Sequence, residues 1–311
     1  MLQNPQNRDI VVAALRHAAP YVRLYRRKTF VIKAGGEVFA DPASTRALIE
    51  QLAILHQVGI RTVLVHGGGP QSTRLAEALG VETRMVEGRR VTDERTLEVA
   101  TMVLNGQINT QIVAACRQLE LPAIGVSGVD VGLIRARRRA PVRVAGRAEP
   151  VDYGYVGDIE RVDTAVLTTQ LENGLLPVVS PLSADETGTL LNINADTVAA
   201  ALASALGAAK LVLATGAPGI LENRNDPGSL ISYVDLAGLE RLEKAGALAD
   251  GMLPKARAID AAIRGGVPRV HVISYKVPDS LLLEIFTNEG TGTLVVENIA
   301  TLSKEEKSLP V

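Results

Sequence analysis

Short β-branched apolar runs alternate with longer helical patterns along almost the whole chain of 311 residues. Most of the runs are apolar on both faces, which is typical of strands in a sheet covered on both sides, and hence of a parallel sheet. The alternation therefore predicts an α/β fold with right-handed crossovers. The predicted strands are residues 29–33, 61–66, 121–126, 176–181, 210–215, 269–274 and 292–296.

Helical patterns with recognisable ends lie between these strands. Ser, Thr and Asp side chains favour helix N-termini, and Gly or Asn favours the residue after a helix. The predicted helices are 10–25, 44–58, 94–104, 164–171 and 197–206, with N-terminal signals at Ser44, Asp93 and Asp163 and stop signals at Gly59, Gly106 and Asn173-Gly174.

Residues 132–159 break this rhythm, with short alternating segments separated by Pro and Gly, including Gly146. The pattern predicts β-hairpins that decorate one lobe. The segment is rich in arginine, but aromatic residues are only 3% of the chain and its net charge is −1. A solvated strand face is therefore favoured over a nucleic-acid surface.

Composition also bears on the compartment. Cys116 is the single cysteine, so the chain has no internal disulfide, and a reducing cytoplasm is the simplest expectation. The first residues lack the apolar stretch of a signal peptide, and residues 197–209 are too short to span a bilayer. We expect a cytoplasmic protein.

Two glycine clusters each follow a predicted strand and precede a helical pattern. Lys33 comes just before Gly35-Gly36, and His66 comes just before Gly67-Gly68-Gly69. Glycine lets backbone N–H groups approach an anion closely, and a helix N-terminus favours negative charge at the same place. The clusters predict a site for phosphates or carboxylates.

Common phosphate and hydrolase motifs are absent from the sequence. There is no P-loop, no G-x-G-x-x-G after a strand and no G-x-S-x-G. The four histidines share no metal-ligand spacing, and His66 is interpreted as a packing and hydrogen-bonding residue. Other polar residues lie at strand ends or helix starts, where loops of an open α/β sheet converge on a ligand crevice. They are Arg90, Asn192, Asp196 and Lys255.

These residues and motifs resemble those of the amino acid kinase family, and the resemblance extends from about Tyr21 to Val296. The resemblance implies a three-layer αβα sandwich with a central, mainly parallel sheet, the carbamate kinase-like fold. It also implies a helical extension (1–28), an acyl amino acid-binding lobe (29–207), an ATP-binding lobe (208–298) and a polar tail (299–311). The matching segments are 31–36, 65–71, 90–93, 191–196, 251–255 and 289–293.

Within the family, the sequence resembles the enzymes that use MgATP to phosphorylate the side-chain carboxylate of N-acetyl-L-glutamate in arginine biosynthesis. A carboxylate is already ionised at neutral pH, so no general base is expected. The resemblance implies that no residue ligates a metal and that Mg²⁺ is held mainly through the phosphates. The implied site residues are Lys33, Lys255 and Asp196 for catalysis, Gly68, Gly69, Arg90 and Asn192 for the acceptor, and Gly35, Gly36, Thr215 and Lys255 for ATP.

Three departures from the family pattern leave alternatives open. Gly216 stands where an aspartate is usual, Glu37 where the residue is generally small or neutral, and Asp279 where arginine-inhibited hexamers often carry histidine. A kinase for N-succinylglutamate or carrier-linked aminoadipate is one alternative, and a non-catalytic regulatory paralogue is another. A homodimer is expected, while a hexamer joined by the N-terminal helix and an arginine effector are hypotheses. Neither nucleic acid nor a membrane is expected as a partner.

Overall fold

The computed structural model describes residues 5–302, apart from 87–88, 145–146, 148, 224, 227, 249–250 and 288–289. The predicted tail lies outside the described residues from position 303 onward. The described strands are β1 (Thr29–Ala34), β2 (Arg61–His66), β3 (Arg84–Val86), β4 (Arg89–Val91), β5 (Ala123–Ser127), β6 (Ile134–Arg138), β7 (Gly157–Val162), β8 (Leu176–Ser180), β9 (Leu182–Ala184), β10 (Leu190–Asn192), β11 (Lys210–Thr215), β12 (Tyr233–Asp235), β13 (Val270–Ser274) and β14 (Thr293–Val296).

Helices connect most of these strands. They are α1 (Pro5–Tyr25), α2 (Pro42–Gln57), α3 (Gly69–Ala78), α4 (Glu94–Thr101), α5 (Thr110–Gln118), α6 (Ala165–Glu172), α7 (Ala195–Ala205), α8 (Leu236–Lys244), α9 (Met252–Arg264) and α10 (Ser280–Phe286). A π-helical segment, Met102–Asn109, joins α4 to α5.

The central sheet has the strand order β12-β14-β13-β11-β1-β2-β8-β5, and its one antiparallel pairing among the described strands is β13 with β14. One face packs against α6, α7, α8 and α9, and the other against α2, α5, α10 and the π-helical segment. The predicted mainly parallel sheet between two helical layers is confirmed. The strands predicted over 61–66 and 210–215 have the predicted bounds.

Strand register explains where the glycine clusters meet. In the middle of the sheet, Lys33 of β1 pairs with Val65 of β2 on one side and with Leu213 of β11 on the other. Since the three strands are parallel, they end at the same edge of the sheet. Gly35-Gly36 and Gly67-Gly69 therefore leave the sheet side by side.

Several predicted helix ends are wrong: α1 begins at Pro5 rather than at residue 10, and α7 begins at Ala195 rather than at residue 197. The helix that begins after Asp93 does not stop before Gly106, because its backbone continues through the π-helical segment into α5. One glycine costs a helix only about 1 kcal/mol, and burial of apolar residues on both sides of Gly106 outweighs it. At α2 the N-cap is Asp41, whose carboxylate accepts bonds from the backbone N and Oγ of Ser44 at 2.8 and 2.7 Å.

Residues 132–159 form the predicted hairpin-like structure. β6 and β7 pair antiparallel and join β9 and β10 in a four-stranded sheet, while Gly146 lies outside the described residues. Several arginines here are ion-paired, as in Arg138 with Asp152 at 2.9 Å and Arg139 with Asp158 at 2.6 Å. These pairs agree with the interpretation as a solvated strand face. None of the described helices has the length and apolarity needed to cross a membrane.

Candidate active site

A buried carboxylate between two lysines forms the centre of the site. Asp196 lies in the first turn of α7, where the side chain of Asn194 caps the helix by accepting a bond from the Asp196 backbone N at 2.9 Å. Lys33 Nζ lies 3.0 Å from Asp196 Oδ1, and Lys255 Nζ lies 3.1 Å from both carboxylate oxygens. The three side chains come from β1, α7 and α9, so the tertiary fold brings them together.

Charges within this group perturb one another. Burial opposes ionisation of Asp196, but the charges and hydrogen bonds of Lys33 and Lys255 outweigh burial and lower the pKa of Asp196. Burial and the nearby Lys33 charge lower the pKa of Lys255, against the opposing effect of Asp196. Two ammonium groups on one carboxylate leave an excess of positive charge, which suits an anionic ligand.

The two glycine clusters pack against each other beside the lysines. A Cβ on Gly36 would lie 2.9 Å from the Gly68 Cα, and one on Gly68 would lie 2.7 Å from methyl groups of Leu104 and Ile108. Gly68 is also the N-cap of α3 and supplies no capping side chain. Backbone N–H groups at this helix start are therefore available to an anion.

Arg90 approaches the same place from β4. Its guanidinium donates to Thr83 Oγ1 at 2.9 Å and to Thr73 Oγ1 at 2.8 Å, and a longer bond reaches the Gly69 carbonyl at 3.4 Å. Burial lowers the pKa of Arg90, but guanidinium remains charged in proteins. These contacts hold a cation beside the second glycine cluster.

A cavity of about 250 Å³ joins these groups. Its volume suits a small metabolite rather than a whole nucleotide. Lys255 is not among the residues that line the cavity, but it contacts Asp196, which does line it. Lys255 lies inside α9 rather than ahead of that helix. The predicted residues that line the cavity are Lys33, Gly35, Gly36, Gly68, Gly69, Arg90, Asn192 and Asp196.

Thr215 does not line this cavity. It is the last residue of β11, and its hydroxyl exchanges hydrogen bonds with the backbone of Ala217, donating to the carbonyl at 3.1 Å and accepting from the N–H at 3.0 Å. The side chain therefore stabilises the turn that follows β11. Its predicted contact with ATP stays a prediction.

Sequence reasoning missed Gln71 and the π-helical segment. The buried Gln71 side chain donates to the Gly36 carbonyl at 2.6 Å and links the two glycine clusters. Leu104 of the π-helical segment lines the cavity. π-Helical turns are frequent at functional sites, but no local pattern in the sequence announces one.

His66 is confirmed as a packing and hydrogen-bonding residue. It is fully buried, and its Nε2 lies 3.2 Å from the Nδ2 of Asn109, which also donates to the Val178 carbonyl at 2.9 Å. Asn109 is the last residue of the π-helical segment, so this pair connects that segment to the sheet below the glycine clusters. Burial lowers the pKa of His66 to about 4.

Fold and site together define an α/β protein with two lysines paired to one buried carboxylate beside the edge of a mainly parallel sheet. The model of the amino acid kinase family matches residues 28–274, and the chain belongs to this family. Acetylglutamate kinase of Myxococcus xanthus is 50% identical over 292 residues, which are 93% of this chain and 95% of that protein. Acetylglutamate kinase of Methanothermobacter thermautotrophicus is 42% identical over 92% of this chain and 99% of its own length.

Solved structures show the same fold. N-acetylglutamate synthase from Neisseria gonorrhoeae, complexed with coenzyme A and N-acetyl-glutamate, has a TM-score of 0.80 and 31% identity over 92% of this chain. The chain spans only 63% of that synthase. Carbamate kinase from Giardia lamblia bound to AMP-PNP has a TM-score of 0.61 and 19% identity over 87% of this chain and 99% of its own. The second match bears on the fold alone.

Proposed function

We propose that the protein transfers the γ-phosphoryl group of ATP to the side-chain carboxylate of N-acetyl-L-glutamate, forming N-acetyl-L-glutamyl 5-phosphate for arginine biosynthesis. The observation that carries the proposal is the contact of Lys33 and Lys255 with one buried carboxylate beside the glycine-lined cavity. Sequence relatives named acetylglutamate kinase over nearly the full chain support the choice of substrate.

Catalysis in this proposal is positioning plus electrostatic stabilisation. The acceptor carboxylate is the nucleophile and needs no base, while Lys33 and Lys255 stabilise the charge on the transferring phosphoryl group from its two sides. Asp196 holds both ammonium groups at 3.0–3.1 Å and so sets their separation. The glycine N–H groups complete the binding of the phosphates.

Arg90 and Asn192 bind the acceptor in this scheme. Guanidinium makes a forked contact with a carboxylate, and Thr73 and Thr83 already hold the group in place. Asn192 Nδ2 lies 3.4 Å from the hydroxyl of the buried Thr92, which orients the amide at the cavity wall. Arg90 would therefore take the α-carboxylate, and Asn192 another part of the same molecule.

Mg²⁺ fits the site through the nucleotide. No group of three or more His, Cys, Asp or Glu among the described residues could hold a metal ion. Of the acidic side chains that line the cavity, Asp196 is already engaged by two lysines, whereas Glu37 is not. Phosphate oxygens would provide most of the ligands, and the ion would neutralise charge on ATP.

The proposed nucleotide-binding part of the site is supported by fewer contacts than the part proposed for the acceptor. In the proposed ATP-binding lobe, 208–298, the strand end at Thr215 and the following Gly216 would face the nucleotide. A Cβ on Gly216 would lie 4.0 Å from the Nζ of Lys276, an exposed side chain. This places a cation beside the position where the family usually has an aspartate.

A hydroxylamine-trapping assay for acyl phosphate tests the function, with MgATP and a panel of carboxylates. We expect product with N-acetyl-L-glutamate. Product only with N-succinylglutamate or a carrier-linked aminoadipate would show that this other acid, and not N-acetyl-L-glutamate, is the substrate. No product with any acid, together with thermal shifts on ligand addition, would favour a regulatory paralogue.

For assembly and location, we propose a cytoplasmic homodimer that α1 extends to a hexamer, with arginine as an effector. Large apolar side chains of α1 are exposed, with Ile10 at 66% and Leu15 at 68%. Such a surface on one helix supports contact with another subunit.

A further inference from the structure

Glu37 lies at the start of the site and has no role in the proposed reaction. It follows Gly35-Gly36 directly and precedes a short 3₁₀ helix, Val38–Ala40. Its side chain turns back onto the loop, so a Cβ on Gly35 would collide with the Glu37 carboxylate. The absence of a side chain at Gly35 is what allows the carboxylate to lie over the loop.

The carboxylate faces the reacting groups. Glu37 lines the cavity together with Lys33 and Asp196, and it is only half-buried. Its negative charge acts on Lys255, where it raises the pKa against the effect of burial. Within the described part of the chain, no hydrogen bond or ion pair occupies the carboxylate oxygens of Glu37.

A free carboxylate at this place repels an approaching phosphate chain. Asp196 is neutralised by two lysines, but Glu37 lies over the loop whose N–H groups would bind the phosphates. A divalent cation between the carboxylate and the phosphates turns this repulsion into attraction. Mg²⁺ is typically held by one or two carboxylates together with substrate phosphates and waters.

We propose that Glu37 is a direct ligand of the Mg²⁺ that accompanies ATP, through one oxygen of its carboxylate. The inference rests on the proposed function and adds a protein ligand to a metal otherwise held by phosphates. It also assigns a purpose to a charge that would otherwise weaken nucleotide binding. Glu37 would then make binding depend on the metal, since ATP without Mg²⁺ meets the bare carboxylate.

Calorimetric titration with AMP-PNP tests the inference without turnover or acceptor. Affinity is measured in Mg²⁺ and in EDTA for the wild type and for Glu37→Gln, which keeps the shape and removes the charge. In EDTA the variant should bind AMP-PNP more tightly, because repulsion is gone. In Mg²⁺ it should bind more weakly, so the gain in affinity on adding metal should fall by about 10-fold or more.

Glu77→Gln is the matched control, because Glu77 is an exposed carboxylate on α3 outside the cavity. It should leave the metal-dependent gain unchanged. An unchanged gain in Glu37→Gln, or tighter binding both with and without metal, would overturn the assignment of Glu37 while leaving the kinase intact. A wild type that binds no AMP-PNP under either condition would overturn the proposed function, and the metal assignment with it.

Electron paramagnetic resonance gives a second readout with Mn²⁺ in place of Mg²⁺. In ¹⁷O-labelled water, line broadening counts the waters on the Mn²⁺–AMP-PNP complex bound to the protein. Replacement of the Glu37 ligand by water should add one water in Glu37→Gln. An equal number of waters in both proteins would contradict direct coordination.

Discussion

Asp196 is paired with two lysines, Lys33 and Lys255. Substitutions at these three positions should therefore affect turnover and stability to different extents. Removing one lysine leaves the other paired with the carboxylate, so the buried charge stays neutralised. Removing the carboxylate leaves two buried ammonium groups facing each other. The three positions are therefore expected to differ in what their loss costs.

Lys33→Ala and Lys255→Ala should lower kcat by about 10²–10³-fold, because each loses a cation that stabilises the transition state. Their melting temperatures should stay near that of the wild type. Asp196→Asn should instead lower the free energy of unfolding by roughly 3–5 kcal/mol, because it removes the carboxylate and leaves two buried ammonium groups without their negative partner. Hydroxylamine trapping and urea unfolding measure the two effects.

Lys244→Ala is the control, since Lys244 is an exposed residue of α8 that pairs with Glu240, outside the cavity. It should retain both activity and stability. If either active-site lysine variant unfolds without a specific loss of turnover, its role is structural and the catalytic assignment is wrong.

His66 makes stability depend on pH. Burial lowers its pKa from 6.5 to about 4, so the unfolded chain takes up a proton between these values and the folded chain does not. The stability due to neutral His66 is thus fully present above pH 6.5 and is lost as pH falls towards 4, by up to roughly 3 kcal/mol. His66→Gln should lose less stability between pH 7 and pH 5 in urea unfolding.

His17→Gln serves as its control, because His17 is exposed on α1. That variant should keep the wild-type difference between the two pH values. If His66→Gln keeps it as well, His66 is not the group that titrates.

The π-helical segment between α4 and α5 shapes the floor of the site. Its Leu104 and Ile108 lie directly below Gly68, and Asn109 at its end bonds to His66. A regular α-helix would present these side chains at other angles. The segment therefore couples the second glycine cluster to the core of the sheet.

Two adjacent glycines should respond differently to alanine. A Cβ on Gly68 would meet Leu104 and Ile108 at 2.7 Å, so Gly68→Ala should cost about 1–3 kcal/mol of stability by overpacking. A Cβ on Gly69 meets nothing within 4 Å, so Gly69→Ala should fold normally. Because Gly69 lines the cavity, its alanine variant should still raise the KM for N-acetyl-L-glutamate.

Urea unfolding and steady-state kinetics on both variants measure these effects. Equal stability of the two variants would show that Leu104 and Ile108 of the π-helical segment can shift to accommodate the added methyl group without a loss of stability. An unchanged KM in Gly69→Ala would remove Gly69 from the acceptor site.

At the scale of the whole molecule, the N-terminal helix α1 exposes several large apolar side chains. α1 packs on α10, and the Tyr25 ring lies 5.2 Å from the ring of Phe30 in the core. Nearer the N-terminus of α1, Ile10 and Leu15 are exposed. The C-terminal end of α1 thus packs against the core, while its N-terminal half offers an apolar surface for another subunit.

Light scattering after size exclusion should give a hexamer for the wild type. Leu15→Glu should convert it to a dimer, because a charge then lies in the contact between helices, and its kinetics without arginine should be unchanged. Arginine should inhibit the wild type. A wild-type dimer that is indifferent to arginine would contradict both the hexamer and the effector.

Much of the fold could be predicted from local sequence. Apolar runs such as 61–66 and 210–215 are buried on both faces and form central parallel strands with the expected bounds. Asp93 caps its helix as expected, because capping involves residues only three positions apart. Lys33, Arg90 and Asp196 were predictable as site residues from their places at strand and helix ends, together with the family resemblance.

Other features required the path of the whole chain. The backbone beyond Gly106 follows a π-helix because Leu104 and Ile108 pack under a loop that is distant in sequence. Glu37 turns over Gly35, and the Thr215 hydroxyl bonds to the backbone of Ala217, in ways that no spacing reveals. Local patterns act through neighbouring backbone bonds and side-chain periodicity, and these specify strands, helices and phosphate-binding loops. Contacts between distant residues depend on packing and charge in the assembled molecule, and so does the direction in which each functional side chain points.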